Sequence, residues 1–213
     1  MKKIFVISIL LFLSKELFAQ NFSSGFSYSG LISGKNYVSA SFYTLEGDSP
    51  ILNNLSAGIT ITIIDARIYK SFIKSPPPEN VYESSVKLGV QTKYFPFLFN
   101  SESFALKPYI GIELGIYNSY FKTYLNMPSG CSEHYWFETQ KSFYTDINMG
   151  GIIFSEQFLS FIFGLKYQIN NPTVKYDQPI CSEDGYGTIG EIRHTEKVKL
   201  NVLLWNVGFR INF

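Results

Sequence analysis

The chain of 213 residues lacks a long hydrophobic run beyond its first 19 residues. The longest apolar stretch after them, residues 59–64, reads Ile-Thr-Ile-Thr-Ile-Ile, with threonine at alternate positions. A transmembrane helix needs about 20 predominantly apolar residues. This part of the sequence therefore excludes membrane-spanning helices, and the alternation is typical of strands.

The chain also lacks an excess of charge of either sign. It has 18 Lys and Arg against 17 Asp and Glu, and without residues 1–19 the balance is 15 to 16. Such a balance gives no reason to expect a nucleic-acid partner. We see no cofactor or metal motif, so we expect no cofactor, no metal and no catalytic residues.

The N-terminus has the layout of a secretory signal. Lys2 and Lys3 precede an apolar run over residues 4–13, and Ala19 provides a small residue for cleavage. The alternative is a membrane anchor helix, but the run is too short to span a bilayer. We predict a signal peptide over residues 1–19, export through the Sec pathway and one mature domain over residues 20–213.

Alternation of apolar and polar residues is the main pattern in the mature chain, and 17% of the whole sequence is aromatic. Residues 203–213 alternate over about the 9–11 residues that a tilted strand needs to cross a bilayer. One set in this closing segment is apolar: Leu203, Trp205, Val207, Phe209, Ile211 and Phe213. The sequence predicts eight such strands, at 22–32, 36–45, 54–69, 81–95, 105–123, 141–154, 158–170 and 192–213.

This pattern predicts an all-β protein, a closed antiparallel up-and-down transmembrane β-barrel. The apolar sets, which include Ala40 and Phe42 in the second strand, would face lipid, and the polar sets would fill the interior. The competing architecture is a soluble barrel such as a lipocalin, with the apolar face around a ligand cavity. Residues 22–45 form either two strands or one bent strand.

The connections between these strands alternate in length. With both termini in the periplasm, the short connections 46–53, 96–104 and 155–157 lie on the periplasmic side. The connections 33–35, 74–80, 125–140 and 171–191 lie outside and include the two longest. Bacterial outer-membrane barrels have short periplasmic turns and longer extracellular loops, so this distribution favours a barrel in the outer membrane, surrounded by its lipids.

With these features the chain resembles the small eight-stranded outer-membrane barrels of Gram-negative bacteria, of the OmpA/OmpX type. The most specific part of the resemblance is the terminal strand that ends on Phe213. In that family such a strand is the signal read by the barrel assembly machinery. The resemblance therefore implies that Phe209, Ile211 and Phe213 form an assembly signal and that this machinery is a partner.

Charged residues on the predicted inner face form complementary pairs. A symmetric hairpin over 96–104 places Lys87 opposite Glu113, and a tight turn at 155–157 places Asp146 opposite Lys166. Arg210 adds a further cation to this face. An eight-stranded barrel is narrow enough for side chains to fill. The pairs therefore predict an ion-paired interior, and the alternative is a selective channel.

The two cysteines, Cys131 and Cys181, fall in long extracellular loops. Export places them in an oxidising compartment, where disulfides persist. We predict one disulfide between them. The alternative is a metal site with His134, for which the spacing is irregular.

The function expected from these features is non-enzymatic. The loops carry exposed or mutually packed aromatics that suit a structural, adhesive or assembly role with an extracellular or outer-membrane protein partner. One alternative is a narrow channel for small solutes. Another is a rim enzyme with a histidine base, either His134 beside Glu133 or His194 near Glu191 and Glu196. The loop aromatics are Tyr124, Tyr135, Trp136, Phe137, Tyr176 and Tyr186.

Overall fold

The structure is a computed structural model that describes residues 22–68, 80–101, 104–124, 136–138, 140–154, 158–182 and 188–213. The predicted signal peptide and Cys131 lie outside these ranges. The strands are β1 (Ser23–Ser33), β2 (Tyr37–Leu52), β3 (Leu55–Ile68), β4 (Asn80–Tyr94), β5 (Phe99–Ser101), β6 (Phe104–Ser119), β7 (Phe121–Tyr124), β8 (Trp136–Glu138), β9 (Gln140–Ile153), β10 (Leu159–Asn170), β11 (Thr173–Cys181), β12 (Thr188–Lys197) and β13 (Val202–Asn212).

Eight of these strands close into a barrel. The hydrogen-bonded order is β1, β2, β3, β4, β6, β9, β10 and β13, and β13 pairs back with β1. Each neighbouring pair is antiparallel, and the closing pair runs from Ser23 opposite Asn212 to Ser33 opposite Leu203. Closure pairs the backbone groups of every barrel strand, which is the condition for crossing lipid with strands. The predicted closed eight-stranded barrel is confirmed.

The apolar side chains face outward over the middle of the barrel. Leu114 is 51% exposed and Phe163 is 42% exposed, whereas Lys87 and Asp146 are 0% exposed. This is the reverse of a soluble barrel, so the lipocalin alternative is wrong. The outward belt includes Ile59, Ile61, Ile63, Val86, Leu88, Val90, Ile110, Ile112, Ile116, Met149, Phe161, Leu165, Trp205, Val207 and Phe209.

Residues 22–45 form two strands, β1 and β2, and the prediction for the second strand is wrong about its faces. Ala40 and Phe42 are buried inside the barrel, at 8% and 1% exposure, while Tyr43 and Leu45 face outward. The pairing of β2 with β3 shifts register between Tyr37 and Ser39. Because a shift of one residue exchanges the two faces of a strand, apolar alternation alone could not assign them.

The connections differ in length at the two ends of the barrel, as predicted. Short turns join β2 to β3 and β9 to β10 at the end that holds Phe22 and Phe213. The opposite end holds the longest connections, and by the loop-length rule we call it extracellular. No helix among the described residues is long and apolar enough to cross a membrane.

A second, three-stranded sheet stands at the extracellular end, in the order β12, β11, β8. This corrects the prediction of one continuous strand over residues 192–213. The wall strand begins only at Val202, while residues 188–197 pair with β11 outside the barrel. Between them, Val198 and Leu200 donate backbone hydrogen bonds to the carbonyl oxygens of Pro172 and Asn170, at 2.9 and 2.8 Å.

Candidate functional site

Four charged side chains, Lys87, Glu113, Asp146 and Lys166, meet in the middle of the barrel; we call them the central charge cluster. Lys87 Nζ donates to Asp146 Oδ2 at 2.5 Å. Lys166 Nζ donates to Glu113 Oε2 at 3.2 Å and lies 3.7 Å from Asp146 Oδ2. Two cations and two carboxylates balance, so the buried layer carries no net charge.

The predicted registers, which place Lys87 opposite Glu113 and Asp146 opposite Lys166, are wrong, although all four residues face inward and Lys166 lies within ion-pair distance of Asp146. Lys87 lies opposite Tyr117, and Lys166 lies opposite Asn148. Lys87 instead reaches Asp146, on a strand beyond β6. The pairing of β4 with β6 differs by four residues from the predicted register, and that of β9 with β10 differs by two, since Asp146 lies opposite Gln168. The contact of Lys87 with Asp146 crosses β6, so neither hairpin register contains it.

Tyr144 holds Glu113 in place from the barrel wall. Its hydroxyl donates to Glu113 Oε1 at 2.6 Å, and Thr60 donates to the same oxygen at 2.9 Å. The ring lies along the wall over Gly89 and Gly115, where Cβ atoms would come within 2.2 Å of the Tyr144 hydroxyl and 2.8 Å of its ring, respectively. The two glycines therefore make room for the tyrosine that positions the carboxylate.

A second group of charges, the periplasmic charge cluster, consists of Glu46, Asp48, Lys93 and Arg210. Lys93 Nζ donates to Glu46 and Asp48, each at 2.9 Å. Arg210 Nη1 lies 3.1 Å from Asp48 Oδ2. Arg210 thus lies inside the barrel, with Asp48 as its ion-pair partner. Sequence reasoning missed Glu46 and Asp48 because it ended the second strand at residue 45.

The extracellular part of the interior is largely apolar, although Glu83 and Ser119 are also buried there, and this corrects the prediction of a polar interior throughout. Side chains from five barrel strands meet residues 198–204 there, and Leu200 and Leu204 are 0% exposed. We call this group the apolar plug. It includes Tyr37, Phe42, Ile64, Ile68, Val81, Tyr117, Phe121, Val198, Leu200, Val202 and Leu204.

Side chains of the plug and of the central charge cluster are completely buried in the interior of the barrel. Lys87, Tyr117 and Leu204 have no solvent exposure. Because a side chain with zero exposure touches no water-sized probe, no aqueous path runs along these residues. The arrangement is chemically that of a packed core, with apolar contacts towards the extracellular end and buried charges that are paired with each other below them.

The extracellular sheet packs on the plug through aromatic side chains. Phe137 of β8 lies between Phe121 and Tyr176, with ring centroids 6.0 and 5.7 Å away. Tyr176 is 1% exposed. These loop aromatics therefore pack on each other. Tyr135 and Tyr186 lie outside the described residues, as do the side chains of Tyr124 and Trp136.

The opposite face of the sheet is charged. Arg193 Nε and Nη2 donate to the two oxygens of Asp177 at 2.8 and 2.9 Å, and Arg193 Nη2 lies 3.3 Å from Glu138. The hydrogen bonds from Arg193 lower the pKa of the Asp177 carboxyl, and the same contact raises the pKa of Arg193. This network ties the three strands of the sheet together.

His194 lies on the sheet, with one of its two predicted carboxylate neighbours, Glu196, two residues away on the same face. Its ring stacks on Tyr176 with centroids 5.0 Å apart, and the Tyr176 hydroxyl donates to Glu196 at 3.3 Å. Glu191 is three residues away on the same strand and so points to the other face. His134 and the side chain of Cys181 lie outside the described set, and the disulfide remains a prediction.

The residues of the expected assembly signal lie at the periplasmic end of β13. Phe209 is 44% exposed and Phe213 is 70% exposed. Phe213 stacks on Phe22 with ring centroids 6.4 Å apart. Recognition by the assembly machinery remains an expectation.

The fold was compared with known protein families, sequences and structures. No protein-family model matches the chain, and no curated protein sequence does. Among solved structures, a major outer membrane protein from Thermus thermophilus is 8% identical with a TM-score of 0.53, covering 90% of this chain and 99% of that one. OprG from Pseudomonas aeruginosa is 12% identical with a TM-score of 0.52, covering 91% and 95%.

The solid-state NMR structure of the outer membrane protein AlkL in DMPC lipid bilayers is similar at 13% identity, with a TM-score of 0.50 and coverage of 91% and 90%. At such identities the likeness concerns the fold alone. That fold, together with the lipid-facing belt and closed strand pairing, is what a membrane-spanning barrel requires. The chain therefore has the fold of the small eight-stranded outer-membrane barrels, and it is an integral protein of the outer membrane.

Proposed function

We propose that this protein is a non-conducting, non-enzymatic outer-membrane barrel that presents its extracellular sheet to a protein partner at the cell surface. The observation that carries this proposal is the packed interior beneath the extracellular sheet. Completely buried side chains lie in the interior at two positions, the central charge cluster and the apolar plug. Aromatic contacts attach the extracellular sheet to the plug.

The contacts that join the strands of the sheet to each other and to the plug support a binding role. Binding is stronger when the contact surface is ordered beforehand, because less conformational entropy is lost on association. Here the Arg193 network joins three strands on one face, and Tyr176 anchors the other face to the plug. The barrel thus holds the sheet in one orientation above the membrane.

Three exposed isoleucines mark the part of the sheet that would contact the partner. Ile180, Ile189 and Ile192 are 37%, 71% and 47% exposed. All three lie in the half of the β11–β12 pair that is farther from the barrel, as the pairing of Thr173 with Lys197 near the barrel shows. Exposed apolar groups outside the membrane are typical of interaction sites.

Conductance measurements test the closed interior. Purified protein reconstituted into planar bilayers is expected to give no stable unitary current, since no aqueous path passes the plug. A porin in the same preparation serves as the positive control. Reproducible, charge-selective steps from the wild-type protein would contradict the proposal and favour the channel.

Attachment measurements test the sheet. Bacteria that express the protein are expected to attach to epithelial cells or immobilised matrix proteins more than cells without it. The double variant Ile189→Asp/Ile192→Asp is expected to abolish that gain. Thr195→Asp, an exposed position on the same strand, is the matched control.

Surface labelling and heat-modifiable gel migration verify that both variants reach the surface folded. Equal attachment by the double variant and the control would refute the assignment of the contact surface. No gain in attachment by wild-type cells over cells without the protein would refute the adhesive role itself.

A further inference from the structure

A groove of about 630 Å³ lies on the outer face of the barrel wall, over β9, β10 and β13; we call it the wall groove. Met149, Leu165 and Trp205 lie side by side along one edge, and Phe163 and Val207 lie along the other. All five face outward and are 39–52% exposed. A volume of this size is within the range of about 300–1,000 Å³ that is typical of small-molecule sites.

Two glycines form the floor of the wall groove. Gly150 and Gly164 are among its lining residues and lie directly opposite each other in the β9–β10 pair. A Cβ at Gly150 would lie 2.1 Å from the carbonyl oxygen of Phe163, and one at Gly164 would lie 2.4 Å from that of Met149. The two strands therefore approach each other more closely than side chains at these positions would allow, and the groove has a floor of backbone.

The depth of the wall groove places it in the hydrocarbon region of the membrane. Val207 lies at the midpoint of β13, and Phe163 and Leu165 lie in the middle of β10. Their side chains belong to the lipid-facing belt, and the core of a bilayer holds no water. The groove is therefore filled from the membrane, and the ligand that fits it is a hydrocarbon chain.

Three lysines lie at the extracellular end of the barrel, next to the start of β13; we call Lys35, Lys197 and Lys199 the lysine group. All three are exposed, whereas Val198 is buried in the plug. Because successive side chains alternate, Lys197 and Lys199 point away from the plug. Lys35 lies beside them, since the side-chain amide of Asn36 donates to the carbonyl oxygen of Lys199.

The lysine group takes no part in the ion pairs of the described residues. The charged network of the extracellular sheet uses Arg193 as its cation. Glu196 points to the side of the plug, where it accepts a hydrogen bond from the Tyr176 hydroxyl at 3.3 Å. Ammonium groups near a membrane surface attract anionic head groups, and lysine binds phosphate as a point charge. The lysine group is therefore suited to a phosphate.

The lysine group and the wall groove are separated by about the reach of one lipid. Trp205 lines the groove and follows Lys199 by six residues. Six residues span at most about 22 Å when fully extended. The hydrocarbon core of a bilayer is about 30 Å thick, so one leaflet contributes about 15 Å of it. A lipid whose head group lies at the lysine group therefore places its chains at the level of Trp205 and the groove.

We propose that this side of the barrel binds one molecule of a phosphorylated glycolipid from the outer leaflet of the outer membrane. A phosphate of the glycolipid lies at the lysine group, and one acyl chain lies in the wall groove against Leu165, Trp205 and Val207. The two features select this ligand independently, because the groove requires a hydrocarbon chain and the lysines require an anion. The site is separate from the exposed isoleucines of the extracellular sheet.

Native mass spectrometry tests the site directly. The purified protein is released from detergent micelles that contain bisphosphorylated lipid A in competition with phosphatidylcholine, and retained lipids are counted. We expect one lipid A to be retained on each barrel. Dephosphorylated lipid A lacks the anion and the deacylated sugar bisphosphate lacks the chains, so each is expected to bind about tenfold more weakly.

Lysine substitutions test the head-group contact. Lys197→Gln/Lys199→Gln is expected to weaken lipid A binding about tenfold, because it removes two of the three cations. Lys122→Gln/Lys175→Gln removes the same charge elsewhere at the extracellular end and is the matched control. Heat-modifiable gel migration verifies that both double variants are folded.

A larger apolar side chain in the wall groove tests the acyl-chain contact. Val207→Trp is expected to weaken lipid A binding about threefold, since the indole occupies space that the chain requires. Val90→Trp, at another outward position of the lipid-facing belt, is the control. Both substitutions keep the lipid-facing surface apolar, so both variants are expected to fold.

Four results would overturn the proposal. Equal retention of bisphosphorylated and dephosphorylated lipid A would remove the phosphate contact, and equal affinity of the two lysine double variants would place the phosphate elsewhere. Equal affinity of Val207→Trp and Val90→Trp would remove the chain from the groove. A dimer that retains no lipid A and that Val207→Trp dissociates would show that a second copy covers the groove. Retention that Lys197→Gln/Lys199→Gln and Val207→Trp both weaken, with both controls unaffected, supports the proposal.

Discussion

Lys87 and Asp146 form a 2.5 Å ion pair although their strands are not neighbours, because β6 lies between β4 and β9. The pair is completely buried. Lys166, on a further strand, lies 3.7 Å from the same carboxylate oxygen. The central charge cluster therefore links four strands of the wall through the interior, independently of their backbone ladders.

Removal of one member of this pair is expected to destabilise the barrel strongly. Lys87→Met leaves Asp146 in the interior without its nearest cation, a change that typically costs about 3–5 kcal/mol. The measurement is urea-induced unfolding from lipid vesicles, followed by heat-modifiable gel migration. Lys141→Met, at an exposed lysine, is expected to change stability by less than about 0.5 kcal/mol.

The double variant Lys87→Met/Asp146→Leu tests whether the loss of stability comes from the unpaired charge. It removes both charges, so it is expected to recover most of the stability lost in Lys87→Met. A double variant as unstable as the single one would show that the loss comes from packing and not from an uncompensated charge.

The carboxylates Glu113 and Glu83 are both 0% exposed. Substitutions that remove their charges are expected to have different effects on the free energy of unfolding. Glu113 accepts hydrogen bonds from Lys166, Tyr144 and Thr60. Glu113→Ala is therefore expected to lower the free energy of unfolding by about 3 kcal/mol. It is not expected to produce a conductance, since the plug remains.

Glu83 accepts a hydrogen bond from Tyr37 at 3.1 Å and has no ion-pair partner within 4.0 Å in the described part of the chain. Burial of such a carboxylate is unfavourable, so Glu83→Gln is expected to leave stability unchanged or raise it. Both variants are compared by urea unfolding and by planar-bilayer recording. A larger loss in Glu83→Gln than in Glu113→Ala would contradict this ordering.

Gly115 is expected to tolerate no side chain. A Cβ there would lie 2.1 Å from the carbonyl oxygen of Leu88 and 2.8 Å from the Tyr144 ring. Gly115→Ala should therefore displace Tyr144 and cost about 1–3 kcal/mol in unfolding free energy. Gly190→Ala is the control, since the nearest atom to a Cβ at that position is 3.6 Å away. Equal stability of the two variants would contradict the close packing.

The lipid-facing belt predicts a depth-dependent penalty for charge. Leu114→Arg, near the middle of β6, is expected to lower the free energy of unfolding by about 2–4 kcal/mol. Leu52→Arg, at the periplasmic rim, is expected to lower it by about 0–1 kcal/mol. Both positions are more than half exposed in the isolated chain. Unfolding from vesicles measures the difference, and the reverse order would argue against a membrane position of Leu114.

The sequence predicted the barrel well because lipid selects for alternation. The strands that carry Leu88, Leu114 and Phe163 were placed with their correct faces, since a transmembrane strand leaves one face to lipid and one to the interior. The same logic failed at Phe42. There the interior is itself apolar, so both faces accept hydrophobic side chains and alternation no longer distinguishes them.

The ion-pair partners and the extracellular sheet were beyond sequence reasoning for different reasons. The contact of Lys87 with Asp146 crosses the intervening strand β6, so a prediction made from single hairpin registers does not contain it. The sheet was interpreted partly as loop, over residues 171–191, and partly as the start of the wall strand, over residues 192–197, because β12 contains four charged residues in ten and has one face in water. The alternation of Val174 and Tyr176 in β11 was the available signal, and both proved to be buried.

The path of residues 198–204 bears on how the cylinder is completed during biogenesis. These residues run from the outer sheet into the mouth of the barrel and continue directly as the wall strand that joins β10 to β1. The part of the plug formed by residues 198–204 and the last strand of the barrel are thus one continuous segment of chain. Pairing of this strand with β10 and β1 and burial of residues 198–204 in the extracellular end of the barrel therefore involve the same segment of chain.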